Sequence, residues 1–316
     1  MSSTTTISLN PAPWHAVVGD ANQLGESPFW HQAEQTLYWV DIPQRQILRA
    51  NVYMGSVEHW DMPSEPGCIA PAASGGLVIA LREGVFRARQ WGGGLEHVAT
   101  LDYDPAHMRA NDGKCDALGR LWIGTLDETK QARNAALYMI DARAPGKALV
   151  VRKTDPATLA VTTGNGLAWS PDGATLYWAD TASHAVWAWD FDAVSASLSR
   201  QRLFHQFTPK SEFNHQAYAG RPDGAAVDVQ GNYCVAMYEG ARVCQLSPDG
   251  RLLAEWPTPA QCPTMPCFGG DDQRTLYLTT ARQKRSTAEL EALPLSGCIL
   301  SRRAAVPGLP VNFFLD

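Results

Sequence analysis

The chain has 316 residues, of which 45% are hydrophobic and 18% are charged. This balance excludes a disordered chain and predicts a globular protein with a sizeable core. The formal net charge is −6 and no stretch of Lys and Arg is dense enough to follow a phosphate backbone, so nucleic acid is excluded as an expected partner.

The N-terminal residues, the absence of long apolar runs and the cysteine pattern indicate the cellular compartment. Residues 1–10 are rich in Ser and Thr and lack both a basic start and a continuous apolar stretch. No run of about 18 apolar residues occurs anywhere, so we expect no membrane partner and a cytoplasmic protein. The seven cysteines form no CxxC pair, which predicts reduced, mostly buried thiols instead of a disulfide framework or a zinc cage.

A repeated β-hairpin organises the whole chain. Its clearest copy, residues 166–180, has a Ser-Pro-Asp-Gly turn between two β-rich runs. Similar second strands, each followed by a third β-like run, occur at spacings of 40 to 57 residues, which fits a four-stranded unit. In chain order their anchor residues are Leu37, Leu77, Leu121, Leu176, Tyr233 and Leu276.

Six such units predict an all-β fold, a six-bladed β-propeller with four-stranded blades. We assign residues 1–13 to an N-terminal extension and residues 14–316 to a single propeller domain. A pair of β-sandwiches is the alternative, but a sandwich does not require six matching hairpins at a propeller period.

Polar residues recur at one position of this repeat. In a propeller the first strand of each blade lines the central channel, so equivalent residues of different blades meet at one end of the axis. Ten to twelve residues before the anchors, four of the six blades have polar side chains within a few positions of Gly or Pro; these residues are Glu26, Arg109, Asn111, Asn165 and Asp223. Each alone is better explained as an ordinary turn residue, but their shared register favours a common site.

Three of these residues form an all-oxygen donor set. The carboxylates of Glu26 and Asp223 would repel each other in a narrow channel unless a cation lay between them, and Asn165 adds an amide oxygen. We therefore predict one divalent metal ion. The donor set suits Ca²⁺, Mg²⁺ or Mn²⁺, and Zn²⁺ or Fe²⁺ can also accept carboxylates, so these residues leave the ion open; Ca²⁺ is the ion we expect.

Five ordered motifs carry a resemblance to a known family; they lie at residues 25–30, 109–125, 165–173, 222–228 and 263–270. From about Trp14 to Phe314, the chain resembles the regucalcin/gluconolactonase (senescence marker protein) family. The resemblance implies a six-bladed propeller with one divalent metal in its axial channel.

The resemblance also implies roles for individual residues. Glu26, Asn165 and Asp223 match the metal ligands of the family, and Arg109 and Asn111 match its substrate-binding residues. Some members use a further carboxylate soon after the Gly-Thr motif, and Glu128 is its candidate here, at a register that differs by about one place.

The implied reaction is hydrolysis of a sugar lactone to its aldonic acid, with the metal polarising the carbonyl and Asp223 activating water; a metal-activated water is the competing nucleophile. The partner is then a small-molecule sugar lactone, and we expect a monomer or a weak homodimer. One alternative is a non-catalytic metal-binding or regulatory propeller, and another is an enzyme acting on a non-sugar lactone or a phosphotriester.

The segment 207–221, just ahead of Asp223, allows two interpretations. As a loop at the channel mouth it would influence substrate choice. As a solvated insertion it would have no role in the site.

Overall fold

The computed structural model describes residues 13–18, 21–144, 146, 148–155, 157, 159–212 and 218–316. Within these residues the strands form six four-stranded antiparallel sheets. The prediction of an all-β, six-bladed propeller is confirmed. Residues 1–12 lie outside the described residues, so the division into an extension over 1–13 and one domain over 14–316 stays a prediction.

The first three blades follow the chain, each from its innermost to its outermost strand. Blade one contains β2 (Gly25–His31), β3 (Thr36–Asp41), β4 (Gln46–Asn51) and β5 (Ser56–Asp61). Blade two contains β6 (Pro66–Pro71), β7 (Leu77–Leu81), β8 (Gly84–Ala88) and β9 (Glu96–Ala99). Blade three contains β10 (Met108–Cys115), β11 (Leu121–Asp127), β12 (Leu137–Asp141) and β13 (Leu149–Arg152).

The last three blades include the closure of the ring. Blade four contains β14 (Gly164–Trp169), β15 (Thr175–Asp180), β16 (Ala185–Asp192) and β17 (Ser197–Gln206). Blade five contains β18 (Arg221–Val227), β19 (Tyr233–Tyr238), β20 (Arg242–Leu246) and β21 (Leu252–Pro257). Blade six contains β22 (Cys262–Gly269), β23 (Thr275–Ala281), β24 (Ile299–Arg303) and, as its outermost strand, β1 (His15–Val18), so the N-terminal part of the chain completes the final blade.

The hairpin turn seen in the sequence forms by local hydrogen bonds. In blade four, the amide of Ser170 donates to the carbonyl of Thr175 over 2.9 Å, and the amide of Gly173 donates back to Ser170 over 2.8 Å. Asp172 accepts the amide of Ala174 over 3.0 Å, and Gly173 has a φ of 68°. These side-chain and backbone bonds are those that turn residues make, so this turn sequence directly specifies the inner hairpin of blade four.

The core lies between the blades. The described residues contain six buried apolar clusters, each shared by two neighbouring blades. Trp122 of blade three and Trp178 of blade four, both 0% exposed, belong to one of them. Because every blade packs on two neighbours, burial of apolar area stabilises the closed ring as a whole.

All six inner strands contain a register shift near the same place, for example between Glu26 and Phe29 and between Asn165 and Ala168. A β-bulge leaves a residue unpaired and re-aims side chains. Inner strands also approach each other closely, since a Cβ on Gly67 would overlap the carbonyl of Ala110. The bulges and the small residues therefore shape the channel wall.

The channel has two different ends. The N-terminal halves of the inner strands surround a polar cavity, whereas their C-terminal halves surround a smaller cavity of about 120 Å³ with mainly apolar lining. The C-terminal segment, with Leu309 to Asn312, covers this second cavity. The polar residues that the repeat singled out line the first of these cavities.

Three further observations bear on the sequence predictions. All seven cysteines are buried and none of them forms a disulfide within the described residues, as expected. One helix, α1 (Thr287–Ala292), lies between β23 and β24. None of the helices in the described part of the chain is long and apolar enough to cross a membrane.

Candidate functional site

The polar cavity has a volume of about 740 Å³. Its lining includes all six residues singled out in the sequence, namely Glu26, Arg109, Asn111, Glu128, Asn165 and Asp223. The residues predicted to precede the inner strands lie within them, near the N-terminal ends of β2, β10, β14 and β18. The bulge in each strand begins beside these positions, which is how a residue inside a paired strand turns its side chain toward the channel.

Glu26 and Asp223 form a buried pair of carboxyl groups, each 7% exposed. Burial, together with the nearby Asp223 and Asp112 carboxylates, raises the pKa of Glu26 well above its usual range. Burial and the Asp112 carboxylate raise the pKa of Asp223 to about 8, against the opposing effect of Arg221 and Arg109. The carboxyl groups of Glu26 and Asp223 are therefore stable together only when a proton or a bound cation compensates their negative charge.

The amide of Asn165 is fixed by its neighbours. Its Nδ2 donates to Thr181 Oγ1 over 2.7 Å, and that hydroxyl donates to the carbonyl of Pro222 over 2.7 Å. Its Oδ1 accepts from Asn111 Nδ2 over 2.8 Å and keeps a second lone pair for another partner. Thr181 was not singled out in the sequence, because it follows β15 and not the repeated inner position.

Arg109 and Asn111 differ in what they can offer a ligand. Arg109 Nη1 donates to Asn111 Oδ1 and to the carbonyl of Ala110, both over 2.9 Å, while its Nη2 has no hydrogen bond to the described residues. Asn111 uses both amide hydrogens on protein acceptors, the second being the carbonyl of Gly164 at 3.0 Å. The structure thus ties Asn111 mainly to its neighbours and leaves Arg109 freer to contact a substrate.

Glu128 lies at the outer wall and is held by an arginine that the sequence did not indicate. Arg82 Nη1 and Nη2 donate to the two oxygens of Glu128 over 2.9 and 3.1 Å. Arg82 Nε also donates to Glu65 over 3.0 Å, and Arg109 Nε lies 3.8 Å from Glu128 Oε1. Bidentate pairing fixes the orientation of the Glu128 carboxylate at the cavity.

Two charged groups below the site were also missed. Burial raises the pKa of Asp112, whose Oδ2 accepts the amide of Leu167 over 2.8 Å while its Oδ1 has no hydrogen-bond partner among the described residues. Burial lowers the pKa of Lys114, which donates to the carbonyl of Ala225. The signal was present, because Asp112 and Lys114 lie within three positions of Asn111 in one motif.

The wall opposite Glu128 carries a second network that sequence reasoning did not find. Glu239 lies 3.2 Å from Arg221 and 3.3 Å from Arg285. Arg221 precedes Asp223 by two positions on β18, which is a usable sequence signal because alternate residues of a strand share a face. Arg285 lies in the connection after β23, and no repeat position predicts it.

The donors present fit a divalent cation. No group of three or more His, Cys, Asp or Glu side chains in the described residues is arranged as a metal cluster. The set at the channel mouth consists instead of two carboxylates and the amide of Asn165, whose orientation is fixed. Two buried acids with raised pKa values and a neutral oxygen donor are a suitable environment for a hard cation.

The fold and the site together define a six-bladed propeller whose channel mouth gathers acidic and amide oxygens from three blades. Residues 24–282 match the family described as "SMP-30/Gluconolactonase/LRE-like region", and the chain belongs to this family. The resemblance read from the sequence motifs is confirmed.

Similar proteins support this placement. A 6-deoxy-6-sulfogluconolactonase of Pseudomonas putida is 39% identical over 298 residues, which cover 94% of this chain and 97% of that protein. Regucalcin of Danio rerio is 33% identical over 300 residues, covering 93% and 95% of the two chains. A calcium-binding regucalcin from Agrobacterium tumefaciens has a similar fold, with a TM-score of 0.87 at 24% identity over 96% of this chain and 98% of that chain.

Proposed function

We propose that this protein hydrolyses a sugar lactone to the aldonic acid in its polar cavity, with Asp223 taking the proton of the attacking water. The observation that carries the proposal is the buried pair Glu26 and Asp223, which faces the guanidinium of Arg109 in one cavity. A proton acceptor and a multiple hydrogen-bond donor that line one cavity are what ring opening of a hydroxylated lactone needs.

The enzyme class, a sugar lactonase, is confirmed by similarity. The Pseudomonas putida relative, which aligns over nearly the whole of both chains, is named 6-deoxy-6-sulfogluconolactonase. The family description includes gluconolactonase. The alternative of a non-catalytic regulatory propeller is correspondingly disfavoured, and a small-molecule lactone is the expected partner.

Glu26, Asn165 and Asp223 would hold the metal. When bound, a divalent cation would supply positive charge that lowers the pKa of both carboxyl groups and polarises the lactone carbonyl. The oxygen-only donor set supports Ca²⁺, Mg²⁺ or Mn²⁺, with Zn²⁺ and Fe²⁺ as alternatives.

The remaining chemistry belongs to side chains of this chain. Asp223 lines the cavity, and no described side chain donates a hydrogen bond to it, so its carboxylate can accept a proton from water. Arg109 offers Nη2 to substrate oxygens, and Glu128, fixed by Arg82, offers an acceptor to a sugar hydroxyl. Asn111 then contributes mainly by orienting Asn165 and Arg109.

The first test is a hydrolysis assay with a pH indicator on a panel of aldonolactones. Protein stripped of metal and then reloaded with Ca²⁺, Mg²⁺, Mn²⁺, Zn²⁺ or Fe²⁺ is compared after subtraction of spontaneous ring opening. We expect one or more ions to restore hydrolysis of a sugar lactone. Activity only on a phosphotriester or a non-sugar lactone would contradict the substrate class, and full activity of the stripped protein would contradict the metal dependence.

A second test separates catalysis from metal binding. Arg109→Gln is expected to reduce kcat/KM on a sugar lactone by roughly 10- to 100-fold, because a charge-assisted contact to substrate is lost. Calorimetric binding of the activating ion should persist, since Arg109 supplies no oxygen donor. The control is Arg303→Gln, which removes an arginine that pairs with Asp272 on the exposed surface of blade six. An unchanged kcat/KM in Arg109→Gln would contradict the proposed contact between Arg109 and the substrate.

A further inference from the structure

The charges of the cavity wall are unbalanced. Apart from Glu26 and Asp223, which a proton or a cation must neutralise, the wall has three carboxylates, those of Glu65, Glu128 and Glu239. It also has six cationic side chains, which are Arg82, Arg109, Lys130, Arg221, Lys284 and Arg285. A cationic cavity in a protein whose net charge is −6 concentrates anions at its mouth.

Most of the excess positive charge of the cavity wall lies on blades five and six. We call Arg221, Lys284 and Arg285 the cationic rim. The Glu239 carboxylate there is shared by Arg221 at 3.2 Å, Arg285 at 3.3 Å and, from outside the cavity lining, Lys210 at 3.6 Å. Arg285 Nε also donates to Glu289 over 2.6 Å, and Lys284 has no ion pair within the described part of the chain. Four cations thus face two carboxylates, an excess of two positive charges.

The opposite wall, on blades two and three, is paired internally. Arg82 bridges Glu65 and Glu128, and Arg109 approaches Glu128, so two cations face two carboxylates. The exposed Lys130 adds one positive charge outside this network. An anionic substrate group would therefore be repelled by Glu128 on this side and attracted to the cationic rim on the other.

The rim lies close to the reacting end of the site. Arg221 and Asp223 are two positions apart on β18, and both line the cavity. In a hexonolactone closed through its fifth oxygen, the exocyclic carbon is attached to the carbon that bears the ring oxygen, so its substituent lies on the carbonyl side of the ring. A lactone carbonyl placed at Asp223 therefore carries its exocyclic substituent within reach of Arg221 and its neighbours.

We propose that the cationic rim of Arg221, Lys284 and Arg285 is a subsite for an anionic group, a sulfonate or a carboxylate, on the exocyclic carbon of the lactone. This inference rests on the proposed lactonase function and specifies its substrate class. Guanidinium and ammonium groups bind oxyanions by charge-assisted hydrogen bonds. Arg285 pairs with Glu289 through Nε and Nη2 and with Glu239 through Nη1, so each of its two Nη atoms keeps a second hydrogen for another anion, and Arg221 shares Glu239 with it.

The test uses three six-carbon δ-lactones of one ring configuration, in which the exocyclic carbon bears a hydroxyl, is oxidised to a carboxylate or bears a sulfonate. We expect the kcat/KM of at least one anionic lactone to exceed that of the neutral one by about tenfold or more. The carboxylate and sulfonate arms identify which anion the subsite takes. Equal or better turnover of the neutral lactone would overturn the proposal.

Variants locate the effect. Lys284→Gln and Arg285→Gln should each lower the ratio of kcat/KM for the anionic over the neutral lactone by about tenfold, because each removes one charged contact. Lys284 is exposed and outside the ion-pair network, so its variant should retain the fold even where Arg285→Gln, which opens two ion pairs, does not. The matched control is Lys130→Gln, on the opposite wall, which should leave the ratio unchanged. A ratio that no rim variant alters would exclude the subsite.

Failure of the proposed function has a separate signature. If the wild type hydrolyses none of the three lactones, the lactonase assignment fails. The subsite is then tested by calorimetry with the open-chain sulfonate and carboxylate acids against the neutral polyol. Tighter binding of an anion that is lost in Lys284→Gln supports the rim, and equal binding of all three overturns it.

Discussion

At the scale of single residues, the environment decides what an aspartate can do. Exposed Asp272 accepts hydrogen bonds from Arg303, which lower its pKa to about 2. Buried Asp223 lies near Asp112, and its pKa is raised to about 8. Asp272 is thus a permanent anion, whereas Asp223 exchanges protons near neutral pH. A pKa in that range suits a general base.

The raised pKa predicts how the stability of metal-free protein depends on pH. Because the folded-state pKa of Asp223 exceeds its unfolded value, the folded state binds the proton more tightly, and its contribution to stability is present at low pH and is lost as pH rises toward about 8. We expect the free energy of unfolding to fall by about 1.4 kcal/mol per pH unit for this group between about pH 4 and 8.

Denaturant titrations of the stripped protein across this range measure the slope. Asp223→Asn should flatten it, whereas Asp272→Asn, which changes an exposed acid on blade six, should not. A stripped protein whose stability rises between these pH values would contradict the raised pKa.

The same residues predict a loss of activity. Glu26→Gln and Asp223→Asn preserve shape but remove a charge from the channel mouth, so we expect kcat to fall by about 10²- to 10⁴-fold. Hydrolysis of the preferred lactone with saturating metal is the measurement, and circular dichroism checks the fold. Full activity in either variant would contradict the assignment of these residues.

At the scale of elements, the inner strands are specialised for close approach. Each inner strand has a bulge where the site residues lie. Glycines occur where a side chain would collide with a neighbouring strand. Gly166, next to Asn165, has a φ of 59°, and a Cβ there would overlap the hydroxyl of Tyr233. That hydroxyl donates to the carbonyl of Gly166 over 2.7 Å, which joins blades four and five beside the site.

Gly166→Ala is therefore expected to lower the free energy of unfolding by more than the cost of backbone strain alone, because the new Cβ also clashes with Tyr233. Gly173, in the turn of the same blade, has a φ of 68° but nothing within 4 Å of its would-be Cβ, so Gly173→Ala measures strain alone. We expect a loss of about 1–2 kcal/mol for Gly173→Ala. A further loss of about 1–3 kcal/mol is expected for Gly166→Ala from the clash. Urea denaturation measures both losses. Equal losses for the two variants would show that the Tyr233 side chain moves aside without a free-energy cost.

At the scale of the whole molecule, both ends of the described chain help to close the ring. β1 completes blade six by pairing with β24. The C-terminal segment crosses the channel end opposite the site, where the amide of Leu309 donates to Val227 over 3.1 Å and that of Phe314 donates to Pro71 over 2.8 Å. Asp316 then pairs with buried Arg87 over 2.9 Å. This segment joins blades that are distant in sequence.

Adjacent phenylalanines test the contribution of the segment. Phe314 is 0% exposed and packs in the cluster between blades two and three, whereas Phe313 is 36% exposed. Phe314→Ala should reduce the free energy of unfolding by about 3–5 kcal/mol. Phe313→Ala should cost about 1 kcal/mol or less, because little apolar area is lost from the interior. Similar costs for the two variants would show that the segment does not anchor the closed ring.

The repeat made much of this molecule predictable. The six predicted anchor residues all lie in the second strands of their blades, because each hairpin is encoded by a local turn and an apolar strand pattern. Shared register also brought Glu26, Arg109, Asn165 and Asp223 to one cavity, since equivalent positions of a closed repeat converge on its axis.

Sequence by itself therefore determined the fold class, the second strand of each blade and the residues that meet at the channel mouth. Only the tertiary structure decided that Asn111 is tied to its neighbours, that Arg82 holds Glu128, and that Arg221 and Arg285 share Glu239. The reason is physical: the hairpins arise from contacts within a few residues, whereas these pairs depend on loops and blades that are far apart in the chain and meet only when the ring closes.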